Sequence, residues 1–153
     1  MGSLNLPKTG RVCFDTQIAI YTVEQHELYA PALVEFWQSV SKGLVEAYSS
    51  ELTLAEALVK PLRDDDAVVI CAFEAFLCRT TINSIPVSRQ ILRQASELRA
   101  RIRSLRLPDA IHAATALSED ALLLTNDVAF RKVPALKIFM LDDFVRSQVT
   151  PGL

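Results

Sequence analysis

The chain has 153 residues, of which 50% are hydrophobic and 22% charged, with 16 Lys+Arg against 18 Asp+Glu and a net charge of -2. That length and composition suit one domain with a real core and exclude a disordered chain. The near-neutral balance excludes a wholesale polyanion binder, while leaving room for a local basic patch. The longest apolar run, 67–77, contains Glu74 and is too short to span a bilayer. No basic segment precedes an apolar stretch near the start, so a soluble cytoplasmic protein with no membrane association is expected. Cys13, Cys71 and Cys78 form no CxxC pair and read as buried thiols in a reducing compartment.

In chain order, 1–10 carries Pro7 and Gly10 among polar residues and reads as a loose N-terminal tail. A strand over 11–15 follows, then a helix over about 18–25. Pro31 opens a second helix with Leu33, Val34, Trp37 and Val40 at helical spacing, and Gly43 ends it. A strand over 44–48 precedes a helix that Pro61 should stop. Asp64, Asp65 and Asp66 cap an apolar helix over 67–79. A short strand over 82–87 and a Ser88-capped helix to about 103 come next, with Ile91, Leu92, Ala95, Leu98 and Ile102 on one face. Pro108 starts a helix over 108–117. The apolar run 121–125 has the look of a central parallel strand, and 136–141 is the last strand. This alternation predicts an α/β fold, a three-layer α/β/α sandwich around a mainly parallel sheet.

In such a sheet, loops leaving the strands' C-terminal ends share one edge, where ligands bind. Asp15 follows the first strand directly, Glu56 lies in the helix after the second, and Asp127 follows strand 121–125. Asp109 opens the helix that feeds that strand, so tertiary folding alone can bring it to the same edge. Each acid also has a purely structural reading. Asp15 and Asp127 can cap helices, Thr53-Leu54-Ala55-Glu56 fits a capping box, and Asp109 complements a helix dipole. Gathered together they repel one another unless a cation neutralises them. Carboxylate oxygens suit Mg2+ or Mn2+, and the lack of a Cys/His set argues against zinc.

The same stretches carry a family resemblance. Val12-Cys13-Phe14-Asp15-Thr16 resembles the opening motif of PIN domains, and Leu52-Thr53-Leu54-Ala55-Glu56 resembles their second acidic motif. The run from Arg106 through Leu107-Pro108-Asp109-Ala110-Ile111-His112 to Ala116 is similar to the third and is the most specific, and Leu124-Thr125-Asn126-Asp127 looks like the fourth. Order, spacing and length are similar to the VapC-type toxins of bacterial toxin–antitoxin pairs over about 11–145, which leaves 146–153 as a C-terminal tail.

The resemblance implies a PIN-like, metal-dependent endoribonuclease that forms a homodimer and is inhibited by a cognate antitoxin protein. It implies hydrolysis of RNA with Mg2+ or Mn2+, with Asp15, Asp109 and Asp127 as metal ligands and Glu56 completing the catalytic four. It further implies that Thr16, Gln17, Thr125 and Asn126 support the carboxylates by hydrogen bonds. Gln17 stands where the family usually has Asn, and its extra methylene is expected to lower efficiency more than to abolish activity.

Arg89, Arg93, Arg99, Arg101, Arg103 and Arg106 lead up to Asp109 with Glu97 as the single intervening acid. Arg99, Arg101, Arg103 and Arg106 are thus candidate RNA contacts, a solvated helix face being the alternative. His112 reads as a packed histidine more than a base, and Trp37, Phe36 and Tyr48 as core or dimer contacts. The competing function is a catalytically weak PIN-like module that binds RNA or protein. A phosphoacceptor receiver is disfavoured because Asp15 has no adjacent acid, and a haloacid-type phosphatase because Gln17 stands where a second acid is needed.

Overall fold

Strand β1 (Gly10–Phe14) shows how the sequence divides the core. Its alternating side chains send Val12 and Phe14 to one face of the sheet and Cys13 to the other. Val45 and Ala47 join the first face and Tyr48 the second, and Leu124 and Leu123 divide in the same way. Both faces of the sheet are therefore apolar, which requires helices on both sides.

The computed structural model describes residues 4–149. After β1 come α1 (Thr16–Val23), α2 (Tyr29–Ser41), β2 (Val45–Ser50), α3 (Leu52–Arg63), α4 (Ala67–Leu77) and β3 (Ile82–Ile85). They are followed by α5 (Arg89–Arg101), α6 (Leu107–Ser118), β4 (Leu122–Thr125), a 3₁₀ turn (Val128–Lys132), β5 (Ile138–Met140) and α7 (Leu141–Val149). The five strands pair in the order β3-β2-β1-β4-β5, all parallel. The fold is the expected three-layer α/β/α sandwich.

Strand β1 is the middle strand, and the chain winds outward from it first through β2 and β3, then through β4 and β5. The gap beyond the C-terminal ends of β1 and β4 is thus the topological switch point, where a crevice opens in this class of sheet.

Several local expectations need correction. Pro61 does not stop α3, which continues to Arg63 with Pro61 buried in its last turn. A proline there forfeits one backbone bond, but the N–H groups of Asp64, Asp65 and Asp66 close the helix end on the Lys60, Leu62 and Pro61 carbonyls. Helix α7 was not foreseen. Residues 146–149, expected as tail, are its final residues, and Val145 just before them is buried, while 150–153 lie outside the described residues. At the other end Leu6, expected in a loose tail, packs into the core. Cys13 is buried, but Cys71 and Cys78 are exposed, because only Phe73 and Phe76 of α4 are buried. Leu92 is exposed where Ile91 and Ala95 are buried, one position off the inward stripe of α5. Trp37 is partly buried in an edge-to-face cluster with Phe14 and Phe76.

Candidate active site

The crevice at the switch point holds a pocket of about 500 Å³ lined by Asp15, Thr16, Gln17, Tyr21, Glu56, Arg106, Asp109, His112, Asn126 and Asp127, among others. Four separate elements deliver its four acids. Asp15 ends β1 and caps α1, with its Oδ1 accepting from the Ile18 N–H at 3.2 Å. Asp127 follows β4 and caps the 3₁₀ turn, its Oδ1 accepting from the Ala129 N–H at 2.9 Å. Both capping roles foreseen for these acids are therefore real. A carboxylate has several lone pairs, so a cap leaves capacity for a ligand.

Glu56 behaves differently. It does not reach back to the start of its helix. Its Oε1 accepts from Thr16 Oγ1 at 2.7 Å and from His112 Nε2 at 2.6 Å, which ties α3 to α1 and α6. With both donors on Oε1, no hydrogen bond from the described residues reaches Oε2. His112 is 2% exposed and its Nδ1 has no partner. The proton on Nε2 therefore faces Glu56, since a carboxylate can only accept. Burial alone would raise the Glu56 carboxyl, but the His112 and Thr16 hydrogen bonds and the charges of His112 and Arg106 bring it below its ordinary value.

Asp15 goes the other way. Burial, with the like charge of Asp127 added, pushes it up to about 6, against the pull of Thr125, His112 and the Ile18 N–H. Thr125 Oγ1 donates to Asp15 Oδ2 and accepts from the Asp127 N–H at 2.9 Å, so this one hydroxyl ties the first acid to the last. Asn126 touches no carboxylate. Its Oδ1 accepts from the Asp142 N–H at 2.7 Å and its Nδ2 donates to the Tyr21 hydroxyl at 3.4 Å, which holds the loop after β4 against α7 and α1. Gln17 lines the pocket, is exposed, and its side chain makes no hydrogen bond among the described residues.

Asp109 is buried at the first turn of α6, and its partner stands three residues before it. Arg106 Nε donates to its Oδ2 at 3.0 Å and Arg106 Nη2 to its Oδ1 at 3.2 Å, a two-point fork. The other three arginines expected to meet RNA lie elsewhere. Arg99 donates to the Leu105 carbonyl at 2.8 Å, while Arg101 and Arg103 are exposed and outside the pocket lining. His112, read as a packed histidine, is one: it is buried and hydrogen-bonded to Glu56. It stands one helical turn after Asp109 on an alanine-rich helix.

Hard carboxylate oxygens from four elements suit a divalent cation such as Mg2+ or Mn2+ in kind. Among the described residues, no three His, Cys, Asp or Glu side chains converge tightly enough to hold an ion as they stand. Asp109 has both oxygens on Arg106.

The fold has counterparts among solved structures. A chain of the VapBC2 complex from Rickettsia felis, crystallised bound to a promoter DNA fragment, is 21% identical over 85% of this chain and 98% of its own, with a TM-score of 0.69. A chain of a toxin–antitoxin complex from Klebsiella pneumoniae is 25% identical over 85% and 97%, with a TM-score of 0.65. VapBC-1 from nontypeable Haemophilus influenzae gives 22% over 86% and 98%, with a TM-score of 0.62. No curated protein matches the chain in sequence. The PIN domain family matches residues 12–136, from within β1 to beyond β4 and so across all four acids; the chain belongs to that family.

Proposed function

We propose that the protein is a metal-dependent endoribonuclease, the VapC-like toxin of a toxin–antitoxin pair. The observation that carries this reading is the arrival of Asp15, Glu56, Asp109 and Asp127 from four elements in one crevice at the switch point. Family membership and the likeness to chains of toxin–antitoxin complexes support it, as does the absence, among the described residues, of any helix long and apolar enough to cross a membrane. The partner is a cognate antitoxin protein, the working state a homodimer, and the compartment the cytoplasm.

Asp15, Asp109 and Asp127 would hold Mg2+ or Mn2+, and the ion would lower the pKa of a water and offset charge developing on the phosphate. Thr125 keeps Asp15 and Asp127 in register. Thr16 and His112 fix one oxygen of Glu56 and leave the other to orient the attacking water and accept its proton. Arg106 supplies a cation at the acids, and the exposed Arg101 and Arg103, which lie outside the pocket, would meet phosphates farther along the RNA. Hydrolysis in this manner leaves a 5′-phosphate and a 3′-hydroxyl.

The reading is tested by incubating purified protein with a mixed RNA pool and Mg2+ or Mn2+, beside EDTA and a folded Asp109→Asn control. Cleavage that disappears in both controls is the expected result. The second reading, a weakly catalytic binding module, draws on the unpartnered Gln17 and on the occupation of Asp109 by Arg106. It predicts RNA binding without cleavage at any metal concentration.

A further inference from the structure

Arg106 is the one arginine or lysine among the residues lining the acidic pocket. It caps α6, and its carbonyl accepts the Ala110 N–H at 2.9 Å, which fixes its backbone. Its side chain is 72% exposed, against 9% for that of Asp109. The guanidinium is thus held at its head by the fork and at its root by the helix, with solvent along the stem. Its charge also faces Asp127 and Glu56, so it offsets three of the four acids at once.

That arrangement has a consequence for any second cation. The fork takes both oxygens of Asp109. A divalent ion at this carboxylate needs at least one of them, and a guanidinium a few ångströms away repels it. The two cations compete for the same ligand. A displaced Arg106 stays tethered at the pocket mouth, and its planar fork matches a phosphate as well as it matches a carboxylate.

We propose that Arg106 is the resident cation of the pocket: it neutralises Asp109 through the fork when no metal is bound, yields Asp109 to a divalent cation, and then engages a phosphate of the RNA. This rests on the metal-nuclease reading above. It makes metal binding and substrate binding respond oppositely to loss of the same side chain.

The test compares wild type, Arg106→Gln and Arg106→Lys, each checked for folding by circular dichroism. Mn2+ binding without RNA is read by electron paramagnetic resonance of the free ion. The Gln variant is expected to bind Mn2+ about tenfold tighter or more, with the Lys variant between. Melting in EDTA should be lower for the Gln variant than for wild type, and saturating Mn2+ should raise it by more. In a second arm, a short labelled single-stranded RNA of mixed sequence is titrated at saturating Mn2+, with anisotropy extrapolated to zero time. The Gln variant should bind it more weakly, with the salt slope reduced by about one.

Equal or weaker Mn2+ affinity in Arg106→Gln, beside a wild type that binds the ion, overturns the resident-cation role and leaves the nuclease reading standing. Tighter Mn2+ binding with unchanged RNA affinity overturns the transfer to phosphate. Mn2+ bound by neither protein sinks the metal-nuclease reading itself, and this proposal with it.

Discussion

Helices α4 and α6 are both apolar and rich in alanine, yet the fold treats them in opposite ways. Helix α6 is buried without interruption from Asp109 to Thr115 and on through Ala116. It packs against α5, α3, β1, β2, β4 and the 3₁₀ turn. Helix α4, AVVICAFEAFL, has the higher apolar content, but it rests on α3 and α1 and buries only Phe73 and Phe76. Val68 on its outer side is 80% exposed. Apolar content therefore does not report depth in this protein. Nor does alanine content, since Ala67, Ala72 and Ala75 of α4 are exposed, whereas Ala110, Ala113, Ala114 and Ala116, all fully buried, let α6 lie close to the sheet and carry Asp109 and His112 to the acids. The exposed apolar face of α4 and the adjoining Val59 and Leu62 of α3 is the kind of surface that protein partners cover.

The sharpest way to break this contrast is to remove the acid that α6 delivers. Asp109→Asn is expected to lower RNA cleavage by about a hundredfold or more while the melting temperature changes little. Val68→Ser, on α4, should leave cleavage by the isolated protein unchanged. Retained cleavage in Asp109→Asn would mean that α6 delivers no chemistry.

Next in size is overpacking. Ala114→Leu should destabilise the protein by about 1–3 kcal/mol, since a fully buried helix face against a sheet has no room for three more carbons. Ala72→Leu, on the exposed side of α4, should stay within about 0.5 kcal/mol. Urea melts of the pair measure the difference directly.

The pocket has its own pH signature. The Asp15 carboxyl is raised from 3.8 to about 6, so between those values the folded state binds more protons than the unfolded one. Its contribution to stability is therefore full at the acid end and is lost as pH rises through about 6. Asp15→Asn, melted in EDTA, should remove that slope and gain about 1–2 kcal/mol over wild type near pH 7. A wild-type profile with no change across this window would contradict the burial of an ionising Asp15.

Smallest of all is the effect of Val68→Ser on the stability of the monomer, expected within about 0.5 kcal/mol. If the α3–α4 face carries the homodimer contact, sedimentation should show lost self-association where the melt shows nothing.

The sequence made much of this legible through local rules. Strand β1 ends where β-forming residues give way to Asp15, Ser88 caps α5 as its hydroxyl predicts, and Gly43 closes α2 with a positive φ of 74°. Pro61 misled because the helix end is closed past it by the N–H groups of Asp64, Asp65 and Asp66. Helix α7 was missed because it is short and begins directly where the last strand ends, with Asp142 and Asp143 in its first turn. For the site, the types and order of the four acids were readable, since each sits beside a recognisable strand end or helix start.

What the sequence determined by itself is set by neighbours along the chain: the period of each element, its caps, and the two apolar faces that demand helices on both sides. Tertiary structure alone decided that Asp109 joins Asp15, that Glu56 turns to Thr16 and His112 and not to its own helix start, and that α4 lies outermost. The Arg106–Asp109 fork, by contrast, is a local pair three residues apart, and tertiary structure decided only that it lies in the pocket. The tertiary outcomes depend on contacts between residues as many as 110 positions apart, whose free energies arise only after the sheet has assembled and water has left the crevice.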